Sequence, residues 1–101
     1  MIINDFVQKY IGKKMYIFGA GVRGKECLHM LKVMNAPICS FFDNAQEKQG
    51  TILDDYRINK PALLKDAIVI VTVKGLYSEI ENQLLDMGYG KQQILTYEEI
   101  L

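Results

Sequence analysis

The sequence has few of the residues from which disulfide frameworks and metal sites are built. Its 101 residues include two cysteines, Cys27 and Cys39, and one histidine, His29. Two cysteines without CxxC spacing form neither a disulfide framework nor a zinc site, and a lone histidine cannot build a metal site. Both cysteines lie in apolar stretches, so we expect small buried side chains in a reducing compartment. His29 is expected on a helix surface, and no metal is expected.

An excess of charge of one sign is also absent, since 12 Lys and Arg balance 12 Asp and Glu. A neutral chain is poorly suited to broad electrostatic capture of nucleic acid or of an anionic membrane. The N-terminus has no basic region followed by an apolar one, as a signal peptide would. The longest apolar run, residues 67–73, is far shorter than the roughly 20 residues of a membrane span. We therefore expect a cytoplasmic protein without nucleic-acid or membrane partners.

Several motifs of nucleotide-dependent enzymes are missing. The chain contains no GxxxxGK[ST] phosphate loop, and Leu101 stands where the lysine of a YxxxK motif beginning at Tyr97 would be. Ile17 lies two residues before Gly19, a position where methyltransferases that use S-adenosylmethionine commonly have an acid. No carboxylate pair suited to acid–base chemistry can be identified. We predict no catalytic residue, and expect any activity to reside in another domain or a partner.

What the sequence does contain is enough apolar material for one folded domain, residues 1–101. Half of the residues are hydrophobic, which makes disorder unlikely for a chain of this length. We predict an N-terminal helix over residues 1–12 on the apolar positions Ile3, Phe6, Val7, Tyr10 and Ile11, followed by a core over residues 13–97. Predicted strands cover residues 14–18, 38–42, 56–58, 67–73 and 94–96. Predicted helices and helical turns cover residues 22–34, 44–50, 61–64, 78–87 and 98–101.

This alternation predicts an α/β domain. Its parallel sheet has about four to five strands and carries helices on both faces. Two capping-box patterns support the helix starts, Asn44 with Glu47 and Ser78 with Glu81. Gly88 is predicted to end the long helix before it in a left-handed conformation.

A glycine-rich hexapeptide, Gly19-Ala20-Gly21-Val22-Arg23-Gly24, lies between the first strand and the helix that begins near Val22. In a GxGxxG loop the first glycine permits the tight turn, the second lets a phosphate approach the backbone, and the third lets the helix pack close to the sheet. The amides of residues 21–23 then point outward at the positive end of the helix dipole, which favours an anion. A glycine-rich turn that binds nothing is the alternative interpretation.

Asp43 follows the second strand, 19 residues after Gly24. A carboxylate at that point can accept hydrogen bonds from ribose hydroxyls, and it disfavours a 2′-phosphate by repulsion, so NAD is favoured over NADP. Alternatively, Asp43 and Asn44 cap the following turn, and the two interpretations are compatible.

Three more residues are candidates for contacts with the ligand. Arg23 lies in the first helical turn, where it either meets a phosphate or is a solvated surface residue. Thr72 and Lys74 follow the central strand and are expected to face the same crevice, where Lys74 would meet a phosphate or a sugar. Tyr77 is expected in the core. The predicted binding residues are Gly19, Ala20, Gly21, Val22, Arg23, Gly24, Asp43, Asn44, Thr72 and Lys74.

Three segments, YIFGAGVRGKECLHML, FFDNAQEKQGTILDDYRI and AIVIVTVKGLYSEIENQLLDMGY, carry a family resemblance. They resemble the small Rossmann-like nucleotide-binding domain attached to bacterial surface-polysaccharide enzymes. Relatives include the N-terminal domains of sugar acetyltransferases, the first domain of polysaccharide epimerase/dehydratase proteins, modules linked to glycosyltransferases and methyltransferases, and the NAD-sensing domain of redox-sensing repressors. The resemblance implies a Rossmann-like three-layer fold over roughly residues 13–97.

In the acetyltransferase relatives, the glycine loop and an acidic pair hold a nucleotide sugar. The resemblance therefore implies that Gly19 through Gly24, Asp43 and Asn44 hold one here. Many relatives have Asp-Asp where this chain has Asp43-Asn44, and the catalytic domain of those relatives has no counterpart in this sequence.

Three functions remain open at this point. The first is a binding module that holds NAD(H) or a nucleotide sugar such as a UDP-sugar and serves sugar or polysaccharide modification. The second is a fragment or minimal form of an NAD-dependent sugar-nucleotide epimerase/dehydratase or of a sugar transferase. The third is a ligand-free interaction domain. In all three, a homodimer or docking onto a catalytic partner domain would cover the edges of a small sheet.

Overall fold

The computed structural model describes residues 8–10 and 12–100. The predicted N-terminal helix lies largely outside these residues, since Ile3, Phe6, Val7 and Ile11 are not among them. Tyr10, the remaining residue of the predicted apolar stripe, is half-buried and packs against the core.

The described residues form a six-stranded sheet with helices on both sides. The strands are β1 (Lys14–Phe18), β2 (Ile38–Phe42), β3 (Ile52–Leu53), β4 (Tyr56–Asn59), β5 (Ala67–Val71) and β6 (Ile94–Thr96). The helices are α1 (Val22–Val33), α2 (Tyr77–Met87) and the single turn α3 (Tyr97–Ile100), with a 3₁₀ turn at Lys91–Gln93. The predicted α/β class is therefore confirmed, with more strands than expected.

The sheet order is β3-β4-β2-β1-β5-β6. Strand β1 pairs in parallel with β2 and β5, β2 pairs in parallel with β4, and β5 pairs in parallel with β6. The chain leaves β1 through α1 toward β2, whereas β5 lies on the other side of β1. Because the three strands are parallel, their carboxyl ends lie side by side at the same end of the sheet.

The prediction of an entirely parallel sheet is wrong at one edge, where β3 and β4 form an antiparallel hairpin. Asp54 and Asp55 join the two strands with φ angles of +49° and +71°. Two consecutive positive φ angles match the right-handed twist of a tight hairpin. Asp-Asp is a weaker signal for this turn than Asn-Gly, which is why no strand or helix is predicted over residues 51–55.

Two apolar clusters cover the two faces of the sheet. Residues of α1 and α3, including Leu28 and Tyr97, pack with Ile17 on one face. Residues of α2, including Leu84, pack with Phe18 on the other. Every residue of β5 is buried, because helices lie on both of its faces and a strand on each side.

Two predicted helical turns are not helices. Residues 46–50 form a series of hydrogen-bonded turns, and the Asn44 side chain bonds Gln83 (2.8 Å) and does not cap them. Residues 61–64 have no regular secondary structure, and the Tyr89 hydroxyl holds them by donating to the Ala62 carbonyl (2.6 Å) and accepting from the Leu64 amide (3.2 Å).

The second predicted capping box is also wrong, because α2 begins after Leu76 without a side-chain cap. Glu81 instead accepts a hydrogen bond from the Tyr77 hydroxyl at 3.1 Å. Burial and this contact with Glu81 raise the pKa of Tyr77 to about 12. Gly88 does end the helix with a φ of +114°, as predicted.

The two cysteines differ in exposure. Cys27 is buried on α1 as predicted, but Cys39 is exposed. Strand β4 pairs with β2 only at Phe41 and Phe42, so the beginning of β2 has a neighbouring strand on one side alone. His29 is exposed on α1, as expected, and lies 3.2 Å from an Asp54 carboxylate oxygen.

Candidate functional site

A cleft of about 410 Å³ opens at the carboxyl ends of β1, β2 and β5. At this end of the sheet the chain continues from a central strand to one side and later returns on the other. Open α/β sheets bind ligands at such a point. The cleft is lined by Gly19, Ala20, Gly21, Val22, Arg23, Gly24, Asp43, Lys48, Thr72, Val73 and Lys74. All predicted binding residues except Asn44 are therefore brought together here.

Two of the glycines in the loop are required by close packing. A Cβ atom at Gly24 would lie 1.9 Å from the Gly19 carbonyl oxygen, so any side chain at position 24 pushes α1 away from the loop. Gly19 has a φ of +109°, and a Cβ there would lie 2.7 Å from Thr72 Oγ1 and from Val73 Cγ2. These two residues fix how the end of β1, the start of α1 and the end of β5 meet.

Gly21 differs from both of its neighbours in the motif. Among residues 8–10 and 12–100, no atom lies within 4 Å of a Cβ built at this position. Its φ of −100° and ψ of −156° are an extended conformation that other residues adopt readily. The protein's own packing therefore places no demand for glycine at position 21, and the residue faces the open cleft as the N-cap of a 12-residue helix.

Asp43 ties the glycine loop to the end of β2. One carboxylate oxygen accepts a hydrogen bond from the Ala20 amide, and the other accepts one from the Ala45 amide, both at 2.8 Å. The side chain is 15% exposed. The predicted cap of the following turn is therefore present, and the same carboxylate also lines the cleft. A carboxylate has about four lone-pair sites, so it can accept further bonds.

Lys48 is a cleft residue that the sequence patterns did not single out. Its Nζ lies 3.9 Å from Asp43 Oδ2. The turns over residues 46–50 bring it back over the end of β2, and the expected helix in this segment concealed that placement. A signal was available, since Lys48 lies within the segment that carries the family resemblance.

Arg23 lines the cleft on the β5 side and is anchored by three groups. Its Nε donates to the Thr72 carbonyl oxygen at 2.9 Å, and its guanidinium lies 5.1 Å from the centre of the Tyr97 ring. The guanidinium also forms an ion pair with Glu98 of α3. It is thus not the freely solvated surface residue that was one of the two alternatives, and the contact with a phosphate stays a prediction.

Thr72 is buried, and its hydroxyl joins β5 to the loop. It donates toward the carbonyl oxygens of Phe18 (2.9 Å) and Gly19 (3.2 Å). Lys74 is exposed at the rim of the cleft. Of the two residues predicted on this side, Thr72 bonds the backbone of the loop and Lys74 places a cation at the rim of the cleft.

Asn44 does not line this cleft. Its side chain exchanges two hydrogen bonds with the Gln83 amide, at 2.8 and 2.9 Å, so it holds the end of β2 to α2. Tyr77 also lies outside the cleft, half-buried against the core as expected. The prediction for Asn44 as a site residue thus finds no support in the geometry.

Four ionisable side chains line the cleft, the cations Arg23, Lys48 and Lys74 and the carboxylate Asp43. Glu98 lies beside Arg23. A backbone amide and the Arg23 guanidinium hold the pKa of Glu98 below its ordinary value, and Lys74 contributes in the same direction. Outward backbone amides at the start of α1 add partial positive charge. The arrangement can bind an anion next to a hydroxyl-rich group, and nothing in its lining resembles a nucleophile paired with a base.

The described residues contain no group of three or more His, Cys, Asp or Glu that could hold a metal ion. No helix within residues 8–10 and 12–100 is long and apolar enough to cross a membrane.

A comparison with curated proteins finds no match to this chain. The family described as C2185-like, N-terminal, matches residues 11–95. That span holds β1 to β5, α1 and α2 in full and β6 except Thr96, together with every residue that lines the cleft. Because the match covers well over half of the sequence, the chain belongs to the C2185-like, N-terminal family.

Proposed function

We propose that this chain is a nucleotide-binding module whose cleft holds NAD(H) or a nucleotide sugar such as a UDP-sugar. Both ligands present a ribose and a diphosphate, which are the two groups that the cleft can accommodate. The diphosphate lies against the amides of residues 21–23, and a ribose lies beside Asp43. Sugar or polysaccharide modification is the process that we propose the module serves.

Gly21 carries this proposal. Packing explains Gly19 and Gly24, but no atom in the described part of the chain comes close enough to explain the glycine between them. A phosphate that approaches the backbone of the helix N-terminus does explain it, because a Cβ at this position would occupy its path. The missing side chain is thus accounted for by a ligand rather than by the fold.

The sheet order supports the same assignment. The parallel set β4-β2-β1-β5-β6, with α1 between β1 and β2, fits a Rossmann-like arrangement extended at one edge by the β3–β4 hairpin. In such sheets the diphosphate lies over the end of the first strand and the acid after the second strand meets a ribose. The cleft has these two groups on its lining, and its volume lies within the range of small-ligand sites.

Catalysis belongs to another domain or to a partner chain in this proposal. The cleft lining contains no nucleophile with an adjacent base, so binding and orientation are what it can supply. The family description names an N-terminal domain, which supports a module that works beside a further domain. Docking on such a domain, or on a second copy, would cover exposed apolar side chains such as Val33, Ile52 and Leu85.

Isothermal titration with NAD, NADH and UDP-glucose tests the proposal. We expect one of these probes to bind the wild-type chain, and Gly21→Val to lower its affinity at least tenfold while the melting temperature stays within a few degrees. Lys74→Met should weaken binding, whereas Lys91→Met, which removes a lysine outside the cleft, should leave it unchanged. Absence of binding by all three probes would refute the proposal.

One observation favours a ligand-free interaction domain as a second candidate. Arg23 is engaged by Thr72 and Glu98, so one cation of the cleft is already neutralised. If no probe binds and Gly21→Val is as stable as the wild type, this second candidate is the better description of the protein.

A further inference from the structure

Glu98, on α3, lies beside the cleft and contacts one of its lining residues. Its carboxylate pairs with the Arg23 guanidinium, and 62% of its side chain is exposed to solvent. Glu98 does not itself line the cleft, so its effect on the cleft acts through Arg23. Lys74, at the rim, also acts electrostatically on Glu98. Glu98 thus interacts electrostatically with two of the three cations that line the cleft, Arg23 and Lys74.

The position of Arg23 does not depend on Glu98. The Thr72 carbonyl oxygen holds Nε at 2.9 Å, and the Tyr97 ring lies against the guanidinium. Tyr97 is itself buried in the core, so this platform is fixed. Removing the Glu98 carboxylate would therefore free the charge of Arg23 while leaving its side chain in place.

The turn that carries Glu98 is also fixed independently of the ion pair. Tyr97 and Ile100 are buried on the α1 side of the sheet, and the Thr96 hydroxyl accepts a hydrogen bond from the Glu99 amide at 3.2 Å. The exposed Glu98 side chain can therefore rotate away from Arg23 without undocking of α3.

We propose that Glu98 is an intramolecular counter-ion of the cleft, which a phosphate-bearing ligand displaces from Arg23. This inference rests on the proposed function, since it requires a ligand phosphate in the cleft. A carboxylate that pairs with Arg23 reduces the attraction of the cleft for an anion, and the ligand must exchange one anionic partner of the guanidinium for another. Glu98 thereby lowers the affinity of the site and keeps Arg23 paired when the ligand is absent.

Glu98→Gln tests this directly, and Glu99→Gln is its matched control. Both variants remove one negative charge from α3 at adjacent positions. Glu99 lies in a different cavity, together with Tyr77 and Glu81, so its removal changes the net charge without touching Arg23. The probe is whichever of NAD, NADH and UDP-glucose binds, titrated into wild type and both variants at low ionic strength.

We expect Glu98→Gln to bind the probe about two- to fivefold more tightly than wild type, as suits an exposed ion pair, and Glu99→Gln to match wild type. The gain should shrink at 0.5 M salt, because exposed charges are screened there. An unchanged affinity in Glu98→Gln, with normal binding by wild type, would overturn this inference and leave the proposed function standing. Weaker binding by Glu98→Gln would also overturn it, because Glu98 would then be a positioning residue for Arg23. No binding by any of the three proteins would overturn both.

The carboxyl group itself gives a second readout. In the free protein the pKa of Glu98 lies below its ordinary value. Loss of Arg23 as its partner and arrival of a phosphate both favour the protonated form, so saturation with the probe should raise this pKa. A ¹³C-detected pH titration of Glu98 with and without probe measures the change. The backbone hydrogen bond of Glu98 is unaffected by displacement, so the change on binding is the informative quantity, and a pKa that does not rise at saturation contradicts displacement.

Discussion

Each side of the cleft pairs an acidic side chain with a basic one, but the two acidic residues have different roles. On the β2 side, Asp43 is 15% exposed and its two oxygens accept bonds from the Ala20 and Ala45 amides, with Lys48 close by. On the β5 side, Glu98 is 62% exposed and meets the guanidinium of Arg23. Asp43 holds the backbone of the glycine loop and of the following turn, whereas Glu98 offsets the charge of Arg23. A carboxylate beside a binding cleft can thus be part of its framework or a removable counter-charge, and the number of its backbone partners separates the two.

The largest effect is expected where both sides meet, at the start of α1. In Gly24→Ala the added methyl would lie 1.9 Å from the Gly19 carbonyl oxygen, so α1 must move away from the loop. Overpacking of this kind costs about 1–3 kcal/mol or more, and we expect a loss near the upper end. Urea denaturation followed by circular dichroism measures it.

Gly21→Ala is the matched control for that change. It adds the same methyl group in open space and at an ordinary φ. Because glycine is preferred to alanine at the N-cap, we expect a loss of about 1 kcal/mol at most, clearly smaller than that of Gly24→Ala. Equal losses in the two variants would show that the close approach of α1 to the loop has no energetic weight.

An intermediate loss in the free energy of unfolding is expected when Asp43 is replaced. Asp43→Ala leaves the Ala20 and Ala45 amides without their acceptor, and hydrogen bonds to charged groups contribute about 1.5–3 kcal/mol each. Because water can partly replace them, we expect a net loss of about 2 kcal/mol in urea denaturation.

Glu98→Ala should leave the denaturation midpoint unchanged, because its ion pair is exposed to solvent. If Asp43→Ala were as stable as wild type, or Glu98→Ala as unstable as Asp43→Ala, the two acids would not differ as described.

The smallest effect concerns the reactivity of the two thiols. Burial raises the pKa of Cys27 to about 12, against the opposing influence of Arg23, whereas Cys39 is exposed. At pH 8 a thiol reagent should modify one cysteine of the native protein quickly and the second only on opening of the core. Two fast equivalents in wild type would contradict the burial of Cys27.

The rate of the slow thiol reaction can also be compared between variants on the two sides of the cleft. Asp43→Ala should speed the slow phase by shifting the protein toward open states, and Glu98→Ala should leave its rate unchanged.

The sequence indicated the strands and long helices well where an apolar run ended at a clear breaker. Strands β1, β2 and β6 have the predicted bounds, and α1 ends one residue earlier than expected. The glycine loop was recognisable because its spacing and its place between a strand and a helix are local properties. The gathering of Thr72 and Lys74 beside it follows from a parallel β1–β5 pair, which the buried pattern of β5 already indicated.

Several of the errors fall where a distant side chain decides the local structure. Asn44 bonds Gln83, 39 residues away, and Tyr89 holds the loop at Ala62 and Leu64 across more than 20 residues. Local patterns contain no information about such pairs. The pairing of Arg23 with Glu98 is also of this kind, since 75 residues separate them. The number of partners that an acid has is therefore a property of the fold that the sequence pattern did not reveal.

The contact between Gly24 and the Gly19 carbonyl oxygen has a consequence for the kinetics of binding. The loop and α1 touch without an intervening side chain, and Asp43 and Thr72 hold the loop from two other directions. A loop held on three sides has little conformational entropy left to lose when a ligand arrives. Association at such a preformed site is limited by diffusion and by rotation of surface side chains, which takes nanoseconds or less. We therefore expect a single fast binding phase in stopped-flow experiments, without the slow step that closure of a mobile loop would add.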